Sequence, residues 1–186
     1  FDLVIINSVA QYFPDQAYFL TVLKTAASLL DKGGRIFLGD LRSLALLEAF
    51  HSSVQLAQAD DDLPLAALHE RVQQRIELEE ELLFDPALFQ KLQPELPRLG
   101  RVSFALKRGE TRNEMSCFRY DALLFLDASS GSDTPPERVE WHPELNIAAI
   151  RERLQKLPAG GLLLTGISDA RLQPEVKAIA ALHAAA

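Results

Sequence analysis

Short continuous apolar runs alternate along the chain with longer stretches in which apolar positions recur every three to four residues. Phe1-Asp2-Leu3-Val4-Ile5-Ile6 is a β-branched run that suits a strand buried on both faces of a parallel sheet. It ends at Asn7-Ser8. From Asp15 to Lys32, Phe19, Leu23, Ala26 and Leu30 lie at helical spacing, with Asp15 as the predicted N-cap and Gly33-Gly34 as the stop. Arg35-Ile36-Phe37-Leu38-Gly39-Asp40 reads as a second strand. Strand, helix and strand with tight joints predict a βαβ unit with parallel strands and a right-handed crossover.

A second helix is predicted from Ser43, with Leu44, Leu47, Phe50, His51 and Val54 on one stripe and Asp60-Asp61-Asp62 breaking it. Residues 64–83 predict a more polar helix. Leu65, Leu68, Val72 and Ile76 form its apolar face, and Glu77, Glu79, Glu80 and Glu81 its solvated one. Asp85-Pro86 supplies an N-cap and first-turn proline for a short helix to Leu92. The period then changes to two. Arg101 to Lys107 alternates as a strand with one wetter face does, and Met115 to Leu126 reads as its hairpin partner. Residues 129–136 have linker composition. Beyond them, Asn146 caps a predicted helix, Leu162 to Ile167 forms a strand, and Pro174 opens an Ala-rich helix.

This order predicts an α/β fold, the second half of an open sheet closed by an antiparallel hairpin. The expected organisation is a sheet domain over residues 1–126 with a helical insertion at about 43–96, a linker over 127–140, and a small α/β appendage over 141–186. Charge narrows the partners. The 186 residues carry a net charge of −7, and the densest basic stretch, Arg98 to Arg112, is interrupted by Glu110. No basic patch is left for nucleic acid. Cys117 is the only cysteine, which excludes an intrachain disulfide and a cysteine zinc site, fits a reducing, cytoplasmic setting, and leaves no metal expected. No apolar run approaches the roughly 18 residues of a membrane span, so no membrane partner is expected. A search for a strand followed by G-x-G-x-x-G fails, because the nine glycines fall at turns and helix ends. The usual nucleotide cradle is therefore not in this polypeptide.

Several stretches resemble a known family. Asn7-Ser8-Val9-Ala10-Gln11-Tyr12-Phe13-Pro14 resembles the N-S-V-x-Q-Y-F-P signature of the N-methyltransferase domains embedded in nonribosomal peptide synthetases. Gly33 to Ser43, Leu46 to His51, and Lys107-Arg108-Gly109 with Arg112-Asn113-Glu114-Met115 and Phe118-Arg119-Tyr120-Asp121 agree in order and spacing. Glu79-Glu80-Glu81-Leu82 with Asp85-Pro86 also fits, and Leu164 to Leu172 matches more weakly. The resemblance covers nearly all of residues 1–126 and thinly covers the rest. The combination is specific where any single stretch is not.

The resemblance implies the C-terminal half of a class I (Rossmann-like) methyltransferase sheet. It implies S-adenosylmethionine as methyl donor, and as acceptor the α-amine of an aminoacyl group tethered by phosphopantetheine to a carrier protein. Neighbouring synthetase domains are the further partners it implies. In the family, the first part of the fold carries the glycine-rich cofactor loop and the acidic ribose-binding residue. Both are absent here, so the complementary N-terminal half is expected as a partner and the isolated chain is expected to be inactive. Two other readings remain open: a non-catalytic scaffold module of a large synthase, and an O- or C-methyltransferase of a polyketide line. The first strand, with an edge uncovered, is expected to template dimerisation.

Methyl transfer from a sulfonium needs alignment and a neutral amine more than strong acid or base groups. Polar groups at strand C-termini are the natural candidates. Asn7, Ser8 and Val9 are expected to line the methionine end of the cofactor, or else to form a polar strand exit. Gln11 and Tyr12 face the amine and the transferred methyl in one reading. In the other, Tyr12 and Phe13 form a hydrophobic staple. Asp40 is placed to orient the amine and Arg42 to pair with Asp40 or hold a carbonyl or phosphopantetheine oxygen, the alternative being a structural salt bridge. His51 reads as a half-buried histidine or a base at the cleft. Arg112, Asn113 and Glu114 carry a substrate role by resemblance, with Glu114 a second acceptor of the amine proton, or form a solvated turn.

Overall fold

The computed structural model describes residues 1–128, 136–157 and 161–185. The chain divides into two compact units, Phe1–Ser129 with Arg171–Ala186, and Ser130–Ala170. In the first, β1 (Leu3–Asn7) leads through α1 (Gln16–Leu29) to β2 (Arg35–Arg42). The helical insertion follows: α2 (Leu47–Gln58), α3 (Leu65–Glu77) and α4 (Pro86–Gln90). Then come β3 (Leu99–Leu106), the one-turn α5 (Glu114–Phe118) and β4 (Arg119–Leu126). The strand order is β1-β2-β4-β3. β1 and β2 are parallel, and β4 runs antiparallel to both its neighbours. The α/β reading, the parallel βαβ start and the closing hairpin are all present.

The second unit is a small βαβ, with β5 (Glu137–Glu140) parallel to β6 (Leu162–Thr165) and α6 (Ile147–Lys156) between them in sequence. Asn146 caps α6 by accepting from the Ala149 amide at 3.0 Å. β5 falls within the segment expected to be linker. Its sequence, Glu-Arg-Val-Glu, is too short and charged to signal a strand. Residues 129–135 of that linker lie outside the described residues.

The last helix, α7 (Gln173–Ala185), packs on α2 and α3 in the first unit rather than extending the appendage. Leu172 and Ile179 join Ala49 and Phe118, and Leu182 is buried against Leu68 and Val72. An Ala-rich helix shows its apolar stripe only once the face it meets is known.

The main core covers one face of the sheet. Ile36, Leu38, Ala122 and Leu124 are fully buried under Phe19 and Leu23 of α1 and Phe89 of α4. Phe84 sits 4.8 Å from the Phe19 ring. Arg98 fixes the end of α1, donating to the carbonyls of Ala27, Leu30 and Asp31 at 2.7, 2.9 and 2.9 Å. These bonds satisfy the orphan acceptors of a helix terminus.

β1 is not buried on both faces. Val4 and Ile6 pack on the core, whereas Leu3 and Ile5 are 48% and 62% exposed. The reason is that α1 and α4 lie on the same side. On the other side, Arg101 and Arg35 cover only the Phe125 ring, at 4.0 and 5.4 Å. Among the described residues no strand pairs with the outer edge of β1. An unpaired apolar edge templates further pairing. Light scattering of the 186-residue chain is therefore expected to show self-association, and Ile5→Lys to suppress it; a monomer throughout for the unsubstituted chain would contradict this.

Two elements differ from expectation for local reasons. α3 stops at Glu77, so Glu79 to Glu81 leave the helix. Residues Met115 to Phe118 are helical, not strand, because Asn113 and Ser116 form a reciprocal capping box at 3.0 Å in each direction.

Candidate functional site

β1 ends beside an irregularity inside β2, and at each of these places the backbone passes through a left-handed residue that is not glycine. Ser8 has φ 58° and Asp40 φ 59°. Such backbone costs on the order of 1–3 kcal/mol each and persists where its surroundings over-determine it. Here they do. Ser8 Oγ, just past β1, donates to Asp40 Oδ2 within β2. The ladder between β2 and β4 breaks between Leu38 and Leu41, so the Asp40 amide is free of it and donates to Asp121 Oδ1 at 3.0 Å. Lys107 Nζ lies 2.6 Å from Asp40 Oδ1 and 2.9 Å from Asp121 Oδ1.

Burial by itself would raise the Asp40 pKa, but the hydrogen bonds from Lys107 and Ser8 outweigh it and hold the carboxyl below the usual range. Burial would lower Lys107, but Asp40 and Asp121 hold it above its ordinary value. The result is a charged carboxylate, 6% exposed, aimed by three neighbours.

Gly39 leaves room for the Asn7 side chain. A Cβ there would sit 1.8 Å from Asn7 Oδ1. Asn7 in turn donates to Ser8 Oγ at 3.0 Å. Gly39→Ala is expected to lower stability by about 1–3 kcal/mol in urea titration, since the Asn7 side chain must leave; an unchanged midpoint would show that the strand ends are looser than this.

Gln11 is 2% exposed and donates to the Ser8 carbonyl at 3.3 Å, while its Oε1 is buried without a partner. Tyr12 points away, 70% exposed, and Val9 is also exposed. The aromatic contact before α1 is made by Phe13 with Tyr18 and Phe19, at 5.1 and 6.4 Å, so Phe13 rather than Tyr12 supplies the staple.

Arg42 does not pair with Asp40. Its guanidinium binds Glu79 through two bonds of 2.9 and 2.8 Å and Glu81 at 2.8 Å, and lies 4.7 Å over the Phe50 ring. His51 Nε2 meets the same Glu79 at 3.1 Å. Burial would raise the Glu79 pKa, but Arg42, the Glu81 amide and His51 together lower it. Glu79 and Glu81 thus do not belong to a solvated face, whereas Glu77 and Glu80 are exposed. The segment after α3 folds back onto the strand ends, with the Phe84 amide donating to the Arg42 carbonyl at 2.9 Å and the Leu82 amide to the Gln11 carbonyl at 2.7 Å. Arg42 thus sits in a structural salt bridge and His51 is half-buried against Glu79, the alternative given for each.

Asp40 and Glu79 have depressed folded pKa values. Their stabilisation is therefore complete above the unfolded values of about 4 and is lost as pH falls through the lower folded ones. Lys107 has the opposite sign, and its contribution is lost only as pH rises through its raised value. Stability is expected to fall on the acid side, and Glu79→Gln to flatten that fall. An acid limb of unaltered slope in the variant would contradict the assignment.

The third predicted group is held by partners within the chain. Asn113 caps α5. Glu114 pairs with Arg119, and Arg112 donates to the Arg171 carbonyl at 2.9 Å and pairs with Glu175. His183 of α7 meets Glu48 of α2 at 2.6 Å. Among the described residues no cluster of three metal-ligating side chains occurs, and no helix is long and apolar enough to cross a membrane.

Lys107 and Asp121 are the site residues that sequence reasoning passed over. Both lie in stretches that carry the resemblance, but a lysine ending one strand and an aspartate inside another give no pairing signal until β3 and β4 are in register, with Leu106 opposite Tyr120.

No protein-family model matches the chain. It is similar to part of chondramide synthase of Chondromyces crocatus, 38% identical over 95% of this chain and 5% of that protein. It is also similar to the nonribosomal peptide synthetase penN of Penicillium thymicola, 41% identical over 70% of this chain and 5% of that protein. A third relative is cyclosporin synthetase of Tolypocladium inflatum, 38% identical over 67% of this chain and 1% of that protein. The chain is homologous to segments of nonribosomal peptide synthetases and spans a twentieth or less of these relatives' length.

Proposed function

We propose that this chain is the acceptor-side half of an N-methyltransferase domain acting in nonribosomal peptide synthesis, with a class I, Rossmann-like sheet. The observation that carries the reading is the buried, ionised Asp40 at the β2 irregularity beside the end of β1, aimed by Ser8, Lys107 and the Asp121 bond to its own amide. An open α/β sheet binds ligands at that edge. The homology to synthetase segments supports a role in nonribosomal peptide synthesis, and the resemblance of the N-S-V-x-Q-Y-F-P stretch supports methyl transfer.

The residues fit S-adenosylmethionine in part. Gln11 Oε1, buried and unpartnered, and the left-handed turn at Ser8 suit the polar methionine end of such a donor. The glycine cradle for its nucleoside is not in this sequence. A complementary half is therefore part of the proposal, and the uncovered β1 edge is where it would pair. When bound, S-adenosylmethionine supplies an electrophilic methyl on a neutral leaving group.

The chain's own residues do the rest. Asp40 accepts a hydrogen bond from the neutral α-amine of a carrier-bound aminoacyl group and so fixes the direction of its lone pair. Lys107 keeps Asp40 charged. After transfer, the carboxylate is placed to take the amine proton. The test is a methylation assay on the intact synthetase with aminoacyl-carrier and ketoacyl-carrier substrates, read by mass. A gain of one methyl on the amine of the aminoacyl substrate is expected. Methylation of the ketoacyl substrate alone would favour a polyketide-type enzyme, and none on either would favour a scaffold module.

A further inference from the structure

β3 ends at Leu106, so the Lys107 carbonyl lies past the last rung of the ladder with β4. α5 is a single turn, and the Ser116 carbonyl falls among its last four, which have no acceptor role further along the helix. Both orphan carbonyls meet one donor. Arg171 Nη1 donates to the Lys107 carbonyl at 2.9 Å and to the Ser116 carbonyl at 2.8 Å. Hydrogen bonds from a guanidinium are stronger than neutral ones. The attachment is reciprocal. Arg112 Nε donates to the Arg171 carbonyl at 2.9 Å, and Arg112 also pairs with Glu175 of α7. The stretch from Lys107 to Ser116 is therefore fastened to residues 171–175 at both its ends and in its middle.

Lys107 is where this fastening bears on the site. Its Nζ lies 2.6 Å from Asp40 Oδ1 and 2.9 Å from Asp121 Oδ1. Among the described residues it is the one cation bonded to Asp40; the charge of Arg119 also bears on Asp40, from a pair with Glu114. A lysine stem is flexible, and holding its ammonium in one place costs conformational entropy. Lys107 is also the first residue beyond its strand, so an unanchored backbone would add its own freedom to that of the stem. Arg171, 64 residues further on, anchors that backbone while the carboxylates anchor the ammonium.

We propose that Arg171 is a positioning residue for the Asp40 site: by fixing the Lys107 backbone it holds the Lys107 ammonium on Asp40. The hold on Lys107 stands on these bonds alone, and its consequence for methyl transfer rests on the proposed function.

Hydrogen exchange of the Lys107 ammonium, followed by heteronuclear NMR in the 186-residue chain, reads the hold. Lys24, which pairs with Glu95 at 2.7 Å, is the internal reference. Arg171→Met keeps the stem and loses the donors, and Lys107 is expected to exchange about fivefold faster against Lys24. Arg171→Lys keeps the cation and reaches one carbonyl at a time, so an intermediate ratio is expected. Leu182→Ala loosens α7 on Leu68 and Val72 without touching the bonds of Arg171. It is expected to lower the urea midpoint and leave the Lys107 to Lys24 ratio unchanged. In the intact synthetase, the single-turnover rate of Arg171→Met is expected to fall about threefold further at acid than at neutral pH, because Asp40 then protonates more readily. Unchanged Lys107 exchange in folded Arg171→Met, or in Arg171→Lys should the methionine variant not fold, overturns the inference. So does an equal change of ratio in Leu182→Ala, or a rate loss equal at every pH. Faster Lys107 exchange in Arg171→Met, beside an unsubstituted synthetase that methylates nothing, removes the methyl-transfer reading and still supports the hold of Arg171 on Lys107.

Discussion

Replacing Asp40 by asparagine in the intact synthetase is expected to lower the single-turnover rate of N-methylation by about 10²-fold or more. The side chain keeps its volume and loses its charge, so the acceptor that orients the amine and takes its proton is weakened. Lys107→Met acts one step back. It leaves Asp40 in place but removes the cation that holds its carboxyl low. The rate in that variant is expected to fall most at acid pH, because Asp40 then protonates nearer its ordinary value. A merely structural role for Lys107 would lower the rate equally at every pH. A rate for Asp40→Asn within threefold of the unsubstituted synthetase would remove Asp40 from the reaction.

The second large effect is on stability. Arg42→Met leaves Glu79 and Glu81 facing each other without their shared cation. Removing one partner of a buried ion pair costs about 3–5 kcal/mol. The lower end is expected here, since Glu81 is still 26% exposed and keeps some solvent. Urea titration reads the loss. Adding Glu79→Gln and Glu81→Gln to Arg42→Met is expected to recover much of it, because the cost arises from uncompensated charge more than from lost packing. If the triple variant is no more stable than Arg42→Met, the cluster stabilises through the arginine stack on Phe50 instead.

Those two clusters also show what was legible in the sequence. Strands, caps and the βαβ order could be read because each has a local signature: the run at Leu3 to Ile6, Asp15 before α1, Asp85 before Pro86. Asp40 could be read because a polar residue after an apolar strand run is informative alone, although β2 continues past it to Arg42. Its partner could not. Lys107 is 67 residues away and meets Asp40 only through the β2–β4–β3 register. The same limit left the carboxylate partners of Arg42 and His51 unreadable. Glutamates after a polar helix look solvated until the chain is seen to fold back at Leu82 and Phe84. Double-sided burial of β1 was the reading a β-branched run invites, and it failed because a one-dimensional pattern carries no information on which layers are present.

The complementary-half proposal is tested most directly by calorimetric titration of S-adenosylmethionine into two proteins, the 186-residue chain and the intact synthetase. No saturable binding by the chain, with clear binding by the synthetase that weakens when Gln11 is replaced by leucine, is the expected result. Binding of equal strength by both would contradict it.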